Sequence, residues 1–189
     1  MASAQDLELR RITVGEYHRM IDAGILGDDY RVELLEGVIV VAMSPQKRHH
    51  AFAVQQLTSL LVRLVGPSYV VLPKLPLTLG DASEPEPDLA VVGAAEAASL
   101  DEHPRTALLV IEVSGDSLRK DRGVKAALYA RSGIPEYWTV NLVDRCVEVL
   151  REPDPARERY RTLLTFERGH ELRSTSLHQV TLAVDALFA

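Results

Sequence analysis

The chain is nearly without cysteine: Cys146 is the single thiol among 189 residues. One thiol closes no internal disulfide. This excludes a disulfide-stapled secreted scaffold and points to a reducing compartment, with Cys146 as a small strand residue. Long apolar runs are missing too. None approaches the roughly 18–20 residues that cross a bilayer, and the opening MASAQDLELRR has no apolar signal segment. The expectation is a cytoplasmic protein with no membrane partner. Nor is there an excess of positive charge. The net charge is −6, which excludes a protein that coats nucleic acid by electrostatics alone. The basic residues are concentrated locally, in Arg119, Lys120, Arg122, Lys125 and Arg131 and in Lys47, Arg48, His49 and His50. Such runs are either solvated helix ends or phosphate-facing patches.

Apolar residues make up 47% of the chain and charged residues 25%, which places it in the globular class. No repeat or low-complexity linker divides it, so a single domain over residues 1–189 is expected, long enough to bury a core. Thr13 and Glu16 form a capping-box pattern that opens a helix running to about Gly24. VELLEGVIVVA, around Glu36-Gly37, predicts two short strands on a tight turn, and Ser44-Pro45 breaks that pattern. A helix is predicted over 48–65, with Val54, Leu57, Leu61 and Leu64 on one face. Strands follow over 69–79, 88–92 and 107–113, the last nearly continuous in apolar residues, as expected of a strand covered on both faces. A helix over 120–132 stops at Gly133 and Pro135. A hairpin over 136–142 and 145–152 comes next, then a loop at 152–155 and weaker strands near 160–166, 171–173 and 180–184. The order predicts a mixed α/β domain with β additions at both ends.

Two features carry chemistry. In Glu84-Pro85-Glu86-Pro87-Asp88 the prolines hold the chain extended and deliver Asp88 at the start of an apolar strand. Glu112 lies near the end of a very apolar strand, where a carboxylate is costly unless it is paired or binds a cation. Two carboxylates on neighbouring strands repel each other. A hard divalent cation such as Mg²⁺, which favours oxygen ligands, resolves that repulsion. The competing reading makes Glu112 an exposed edge-strand residue and Asp88 a turn residue. Asp121, Lys125 and Tyr129 share one helix face by their spacing. Lys125 then either serves a metal-bound carboxylate pair or forms a surface ion pair with Asp121.

EPEPDLAVV, followed by LLVIEVSGDSLRKDRGVKAALYARSGIPEYWTVNL, resembles the stand-alone restriction-endonuclease family of bacteria, a branch of the PD-(D/E)XK nuclease superfamily. The resemblance extends back through VELLEGVIVVAMSP and His50 and covers roughly residues 30 to 153. It implies a restriction-endonuclease-like fold, a mixed β-sheet flanked by helices. It implies Asp88 and Glu112 as metal ligands, with the main-chain carbonyl of Val113 as a third. The superfamily's usual lysine position is Ser114 here, and Lys125 in the following helix fits the relocated lysine, with Tyr129 one turn later. Glu33 matches an acidic position that either completes the catalytic site or stabilises a turn. His50 matches a family histidine, either a phosphate or water contact or a helix-start residue. Asn141 stands where related sequences commonly show aspartate. Tyr137 and Trp138 read as core packing rather than a base-stacking platform.

The expected function is therefore an Mg²⁺-dependent endonuclease, with Mn²⁺ as a substitute metal, hydrolysing phosphodiester bonds of DNA. In it Lys125 positions or helps deprotonate the attacking water, and the basic residues near Arg119 hold flanking phosphates. Cutting both strands makes a homodimer the expected assembly. Two alternatives stay open: a degenerate member that binds DNA or protein without cutting, and a hydrolase of some other phosphate ester.

Overall fold

The computed structural model describes residues 9–27, 32–41 and 47–188. The Ser44-Pro45 break and the first eight residues of the opening segment lie outside them. The described chain falls into two compact units, one from Met1–Ser44 with Thr78–Pro85 and one from Pro45–Leu77 with Glu86–Ala189.

In the first unit, α1 (Val14–Asp22) opens on the capping box that the sequence predicts. The Thr13 hydroxyl accepts the Glu16 amide at 3.2 Å, and Glu16 accepts the Thr13 amide at 3.0 Å. Strands β1 (Val32–Leu35) and β2 (Val38–Val41) form an antiparallel hairpin. Glu36 and Gly37 between them both have positive φ, 51° and 77°, as a type I′ turn requires. A Cβ on Gly37 would lie 2.6 Å from Arg11 Cβ, so only glycine fits there. Val14, Tyr17 and Leu34 make the buried cluster of this unit. Leu34 also exchanges backbone hydrogen bonds with Glu84.

The second unit is built on a six-stranded sheet in the order β3 (Tyr69–Pro73), β4 (Leu89–Gly93), β5 (Leu109–Ser114), β6 (Glu136–Asn141), β7 (Cys146–Asp154) and β8 (Arg159–Glu167). Only β5 and β6 run parallel. A parallel pair needs a crossover, and here residues 115–135 supply it with a helical segment. One sheet face presents Ile111, Val113, Trp138, Val140, Val147 and Val149 to a core shared with α2 (Arg48–Leu64). The buried face of α2 is centred on Ala53, Leu57 and Leu61, while Val54 and Leu64 of the predicted stripe are half-buried. A Leu57→Ala change in this packed layer costs about 2–5 kcal/mol. Short strands β9 (Glu171–Arg173) and β10 (Thr181–Ala183) pair separately and add Leu172 and Leu182 to the same core. Among the described residues no helix is long and apolar enough to cross a membrane.

The mixed α/β class is as expected, but three elements differ from the sequence reading. Strand β3 stops at Pro73 because Lys74 adopts φ +55° and turns the chain away. Residues 152–154 continue β7 rather than forming a loop, paired with β8 through Asp154 opposite Arg159. The helix predicted over 120–132 is three pieces: α3 (Leu118–Lys120), a π-helical turn over Asp121–Lys125, and α4 (Ala126–Arg131).

Candidate active site

Strand register brings the site together. Pro73 stands opposite Leu89, and Leu89 opposite Ile111. One step further along come Lys74 just after β3, Asp88 just before β4 and Glu112 within β5, and the Lys74 amide donates to the Asp88 carbonyl at 3.2 Å. The row continues across the sheet, with Glu112 opposite Thr139 and Thr139 opposite Glu148. One sheet face thus carries a file of polar residues, the reverse of the apolar layer below.

Asp88 is buried, 4% exposed. Its Oδ2 accepts the Val113 amide at 2.6 Å and lies 3.1 Å from His50 Nε2. The Lys74 ammonium donates to Oδ1. The helix-start histidine and the aspartate after Pro87 are therefore one constellation. Glu112, also 4% exposed, accepts at Oε1 from Lys125 Nζ at 2.7 Å and from the Tyr129 hydroxyl at 3.0 Å. Lys125 is itself 3% exposed, so a surface ion pair with Asp121 is not what it makes. Burying an ammonium and a carboxylate is costly unless they are matched, and these two are matched to each other.

The π turn supplies that match. The Ala126 amide donates to the Asp121 carbonyl, an i−5 bond, and the Tyr137 hydroxyl donates to the same oxygen at 3.1 Å. The Asp121 side chain turns inward, where Oδ2 accepts from the Ser114 hydroxyl at 2.6 Å. Single π turns inside helices recur at functional sites. Here Ser114 anchors the turn from which Lys125 reaches Glu112.

Further along the polar face, Arg122 forks onto Glu148, with Nε to Oε2 at 2.8 Å. This contact with the guanidinium holds the Glu148 carboxyl below the usual range against the opposing effect of burial. Asn141 donates to Glu148 at 3.2 Å and to Asp144 at 2.8 Å, and its Oδ1 accepts the Val143 and Asp144 amides. Asn141 thus shapes the β6–β7 turn. Glu136, fully buried, belongs to no such site. It accepts from Trp138 Nε1, Arg151, Ser174 and the amides of Thr175 and Ser176 at 2.6–3.1 Å, tying β6 and β7 to the segment after β9. Tyr137 and Trp138 are completely buried, in keeping with core packing.

Of the sequence-predicted site residues, the second unit gathers Asp88, Glu112, Lys125 and His50. Glu33 lies in the first unit, buried in β1 opposite Val40. In that unit Glu84 accepts from Thr78 and pairs with His18, both at 2.7 Å. Sequence reasoning missed Lys74, whose relevance follows only from β3–β4 register, and the Ser114–Asp121 contact. The two basic runs are partly spent on ion pairs. Arg122 engages Glu148, Arg131 pairs with Glu158, and Lys47 pairs with Asp116 at 2.6 Å. The last pair ties the start of one run to Asp116, three residues ahead of the other, and Arg48, His49 and Arg119 are exposed. Among the described residues no three His, Cys, Asp or Glu side chains cluster about one point. Asp88 and Glu112 offer two carboxylates, a hard-oxygen set of the kind that holds Mg²⁺ together with waters and substrate oxygens.

Residues 14–185 match the model of the Uma2 family, described as "Putative restriction endonuclease". No curated protein matches the chain significantly. The structure resembles the crystal structure of a putative nuclease belonging to DUF820 from Anabaena variabilis ATCC 29413, with a TM-score of 0.73. That protein is 18% identical, and the match covers 94% of this chain and 97% of the other. At that identity the likeness speaks for the fold.

Proposed function

Because this chain belongs to the Uma2 family of restriction-endonuclease-like proteins, we propose that it is a metal-dependent endonuclease that hydrolyses phosphodiester bonds of DNA at Asp88 and Glu112. The observation that carries the reading is the side-by-side arrangement of these two buried carboxylates, Asp88 just before β4 and Glu112 in β5 next to it. The donor set fits Mg²⁺ or Mn²⁺: hard oxygens from Asp88 and Glu112, with the Val113 carbonyl next to them in sequence. When bound, such an ion acidifies water and polarises the scissile phosphate.

The chain's own residues do the rest. Val113 and His50 fix the Asp88 carboxylate, so its lone pairs are aimed without reorganisation. Lys125, held by Glu112, is a hydrogen-bond donor. It orients the attacking water and stabilises negative charge building on the phosphoryl oxygens. Hydrolysis adds water across one P–O bond, leaving a phosphate on one fragment and a hydroxyl on the other. Two carboxylates and two ammoniums balance, so the centre by itself offers a phosphodiester no net attraction. A divalent ion would make it cationic. The exposed Lys47, Arg48 and Arg119 supply phosphate affinity without sequence readout. Cleavage of both strands would use two copies.

One observation favours a second reading. Both carboxylates already have cationic partners, as in a degenerate member that binds DNA without cutting it. Incubating supercoiled plasmid with the protein in Mg²⁺ or Mn²⁺ separates the two. Nicking or linearisation that chelator and Asp88→Ala both abolish supports the nuclease. DNA binding without cleavage favours the degenerate reading, and no DNA interaction refutes both. Cleavage by Asp88→Ala at the parent rate refutes the site.

A further inference from the structure

We infer that the outer edge of β8 is the surface on which a second copy of this chain pairs, antiparallel, about a two-fold axis at Leu163. The inference stands on the strand itself and not on the nuclease reading. Strand β8 is paired on one side with β7, and among the described residues no strand covers its other side. It is nine residues long and reads RYRTLLTFE, with none of the Pro, Gly or Lys that usually blunts a free edge. Leu163 is 61% exposed and Leu164 40%. A long edge with two adjacent exposed leucines and an uncovered side is a template for another strand.

The order of side chains along β8 fits a symmetric pair. The Glu167 carbonyl accepts the His170 amide and its amide donates to His170 Nδ1, both at 3.2 Å. Glu167 therefore directs its polar groups away from β7 and ends the ladder on that strand. Two antiparallel copies centred on Leu163 would place Leu163 against itself, Arg161 against Thr165, Tyr160 against Phe166 and Arg159 against Glu167. Leucine thus meets leucine and tyrosine meets phenylalanine, and each end gains an opposite-charge pair. Arg159 and Glu167 are exposed, and neither side chain has an ion-pair partner among the described residues. A register centred on Leu164 would instead set Arg161 against Glu167, but Arg161 already engages Asp154 at 3.3 Å. Charge complementarity therefore selects Leu163.

Sedimentation velocity on the full chain tests this. The parent should be a dimer, and Leu163→Lys should be a monomer that keeps the parent's circular dichroism. Arg159→Glu and Glu167→Arg should each weaken the dimer about tenfold or more, because every loss occurs twice by symmetry. The double swap, Arg159→Glu with Glu167→Arg, should restore it. Under mild oxidation Leu163→Cys should form a covalent dimer and Leu164→Cys should not, with the parent, whose one thiol Cys146 is buried, as the control. A monomeric parent, a dimer indifferent to all three single changes, a double swap that fails to restore pairing, or cross-linking through position 164 instead of 163 would each overturn the inference.

Discussion

Replacing Lys125 by Met tests the centre of the site. Methionine keeps most of the side-chain length and the apolar stem but removes the ammonium 2.7 Å from Glu112. The side chains of the two partners are 4% and 6% exposed, so water cannot take over the lost contact without rearrangement. The Tyr129 hydroxyl remains at 3.0 Å, but a neutral donor does not balance a buried charge. Removing one partner of a buried pair costs about 3–5 kcal/mol, a large share of the roughly 5–15 kcal/mol that stabilises an ordinary domain. In a chain of this size that is a fall in Tm of roughly 6–20 °C. Urea unfolding followed by the fluorescence of Trp138, the sole tryptophan and fully buried, measures it. The decisive comparison is Lys125→Met with Glu112→Gln. If the cost comes from the buried charge, the double variant is more stable than Lys125→Met alone by 1 kcal/mol or more, on the order expected when a buried pair is removed as a unit. A Lys125→Met loss below about 1 kcal/mol, or a double variant no better than the single, would refute the pairing.

Ser114→Ala should cost about 1–3 kcal/mol in the same urea assay. It removes the donor to Asp121 Oδ2, while Oδ1 of that buried carboxylate has no hydrogen-bond partner among the described residues. Glu136→Gln should destabilise the second unit by about 3–5 kcal/mol, read by thermal unfolding, because Arg151 loses its buried counter-charge. The two perturbed acids also set an acid limit. Burial pushes the Glu136 carboxyl up, but Ser174, Trp138, the Ser176 amide and Arg151 together hold it below its ordinary value, and Arg122 does the same for Glu148. Such carboxyls bind protons more weakly folded than unfolded, so their contribution is full above the unfolded pKa, near pH 4.3 or about that, and is lost as pH falls through the lowered values. Urea midpoints should therefore drop from about pH 5 toward pH 3, less steeply in Glu136→Gln. An equal slope would refute that assignment.

The elements that were legible in the sequence are those whose signal is local. Thr13 and Glu16 announce α1 because a capping box is complete within four residues. The period of Leu57 and Leu61 announces α2, and the apolar run before Glu112 announces a strand buried on both faces. Asp88 and Glu112 stood out because charge beside such strands needs a reason. What escaped is non-local. Nothing in KLPLTLG says that Lys74 meets Asp88; that follows from Pro73 standing opposite Leu89. The two compact units are hidden for the same reason, since the chain enters the first one twice, the second time over only Thr78–Pro85. Pro153 suggested a loop, but near the end of β7 a missing amide is tolerated and pairing continues to Asp154.

The π turn is the least legible element, and it bears on the serine that stands where the resemblance to PD-(D/E)XK nucleases leads one to expect a lysine. Lysine would have stood at position 114, on the same strand face as Glu112 two residues earlier. Ser114 is short, and its hydroxyl reaches Asp121 rather than the carboxylate of Glu112. That contact, with Tyr137 on the Asp121 carbonyl, holds the helix in its wide turn. The turn presents Lys125 and, four residues on, Tyr129 to the same Glu112 oxygen. A periodicity of 3.6 residues places Asp121 and Lys125 on one face and makes them partners of each other. The structure gives each a different partner on β5: Asp121 takes Ser114, and Lys125 takes Glu112. Ser114 and Lys125 are therefore parts of one arrangement. A change at Ser114 or Asp121 should act on the site through the position of Lys125, not through any contact of its own with substrate.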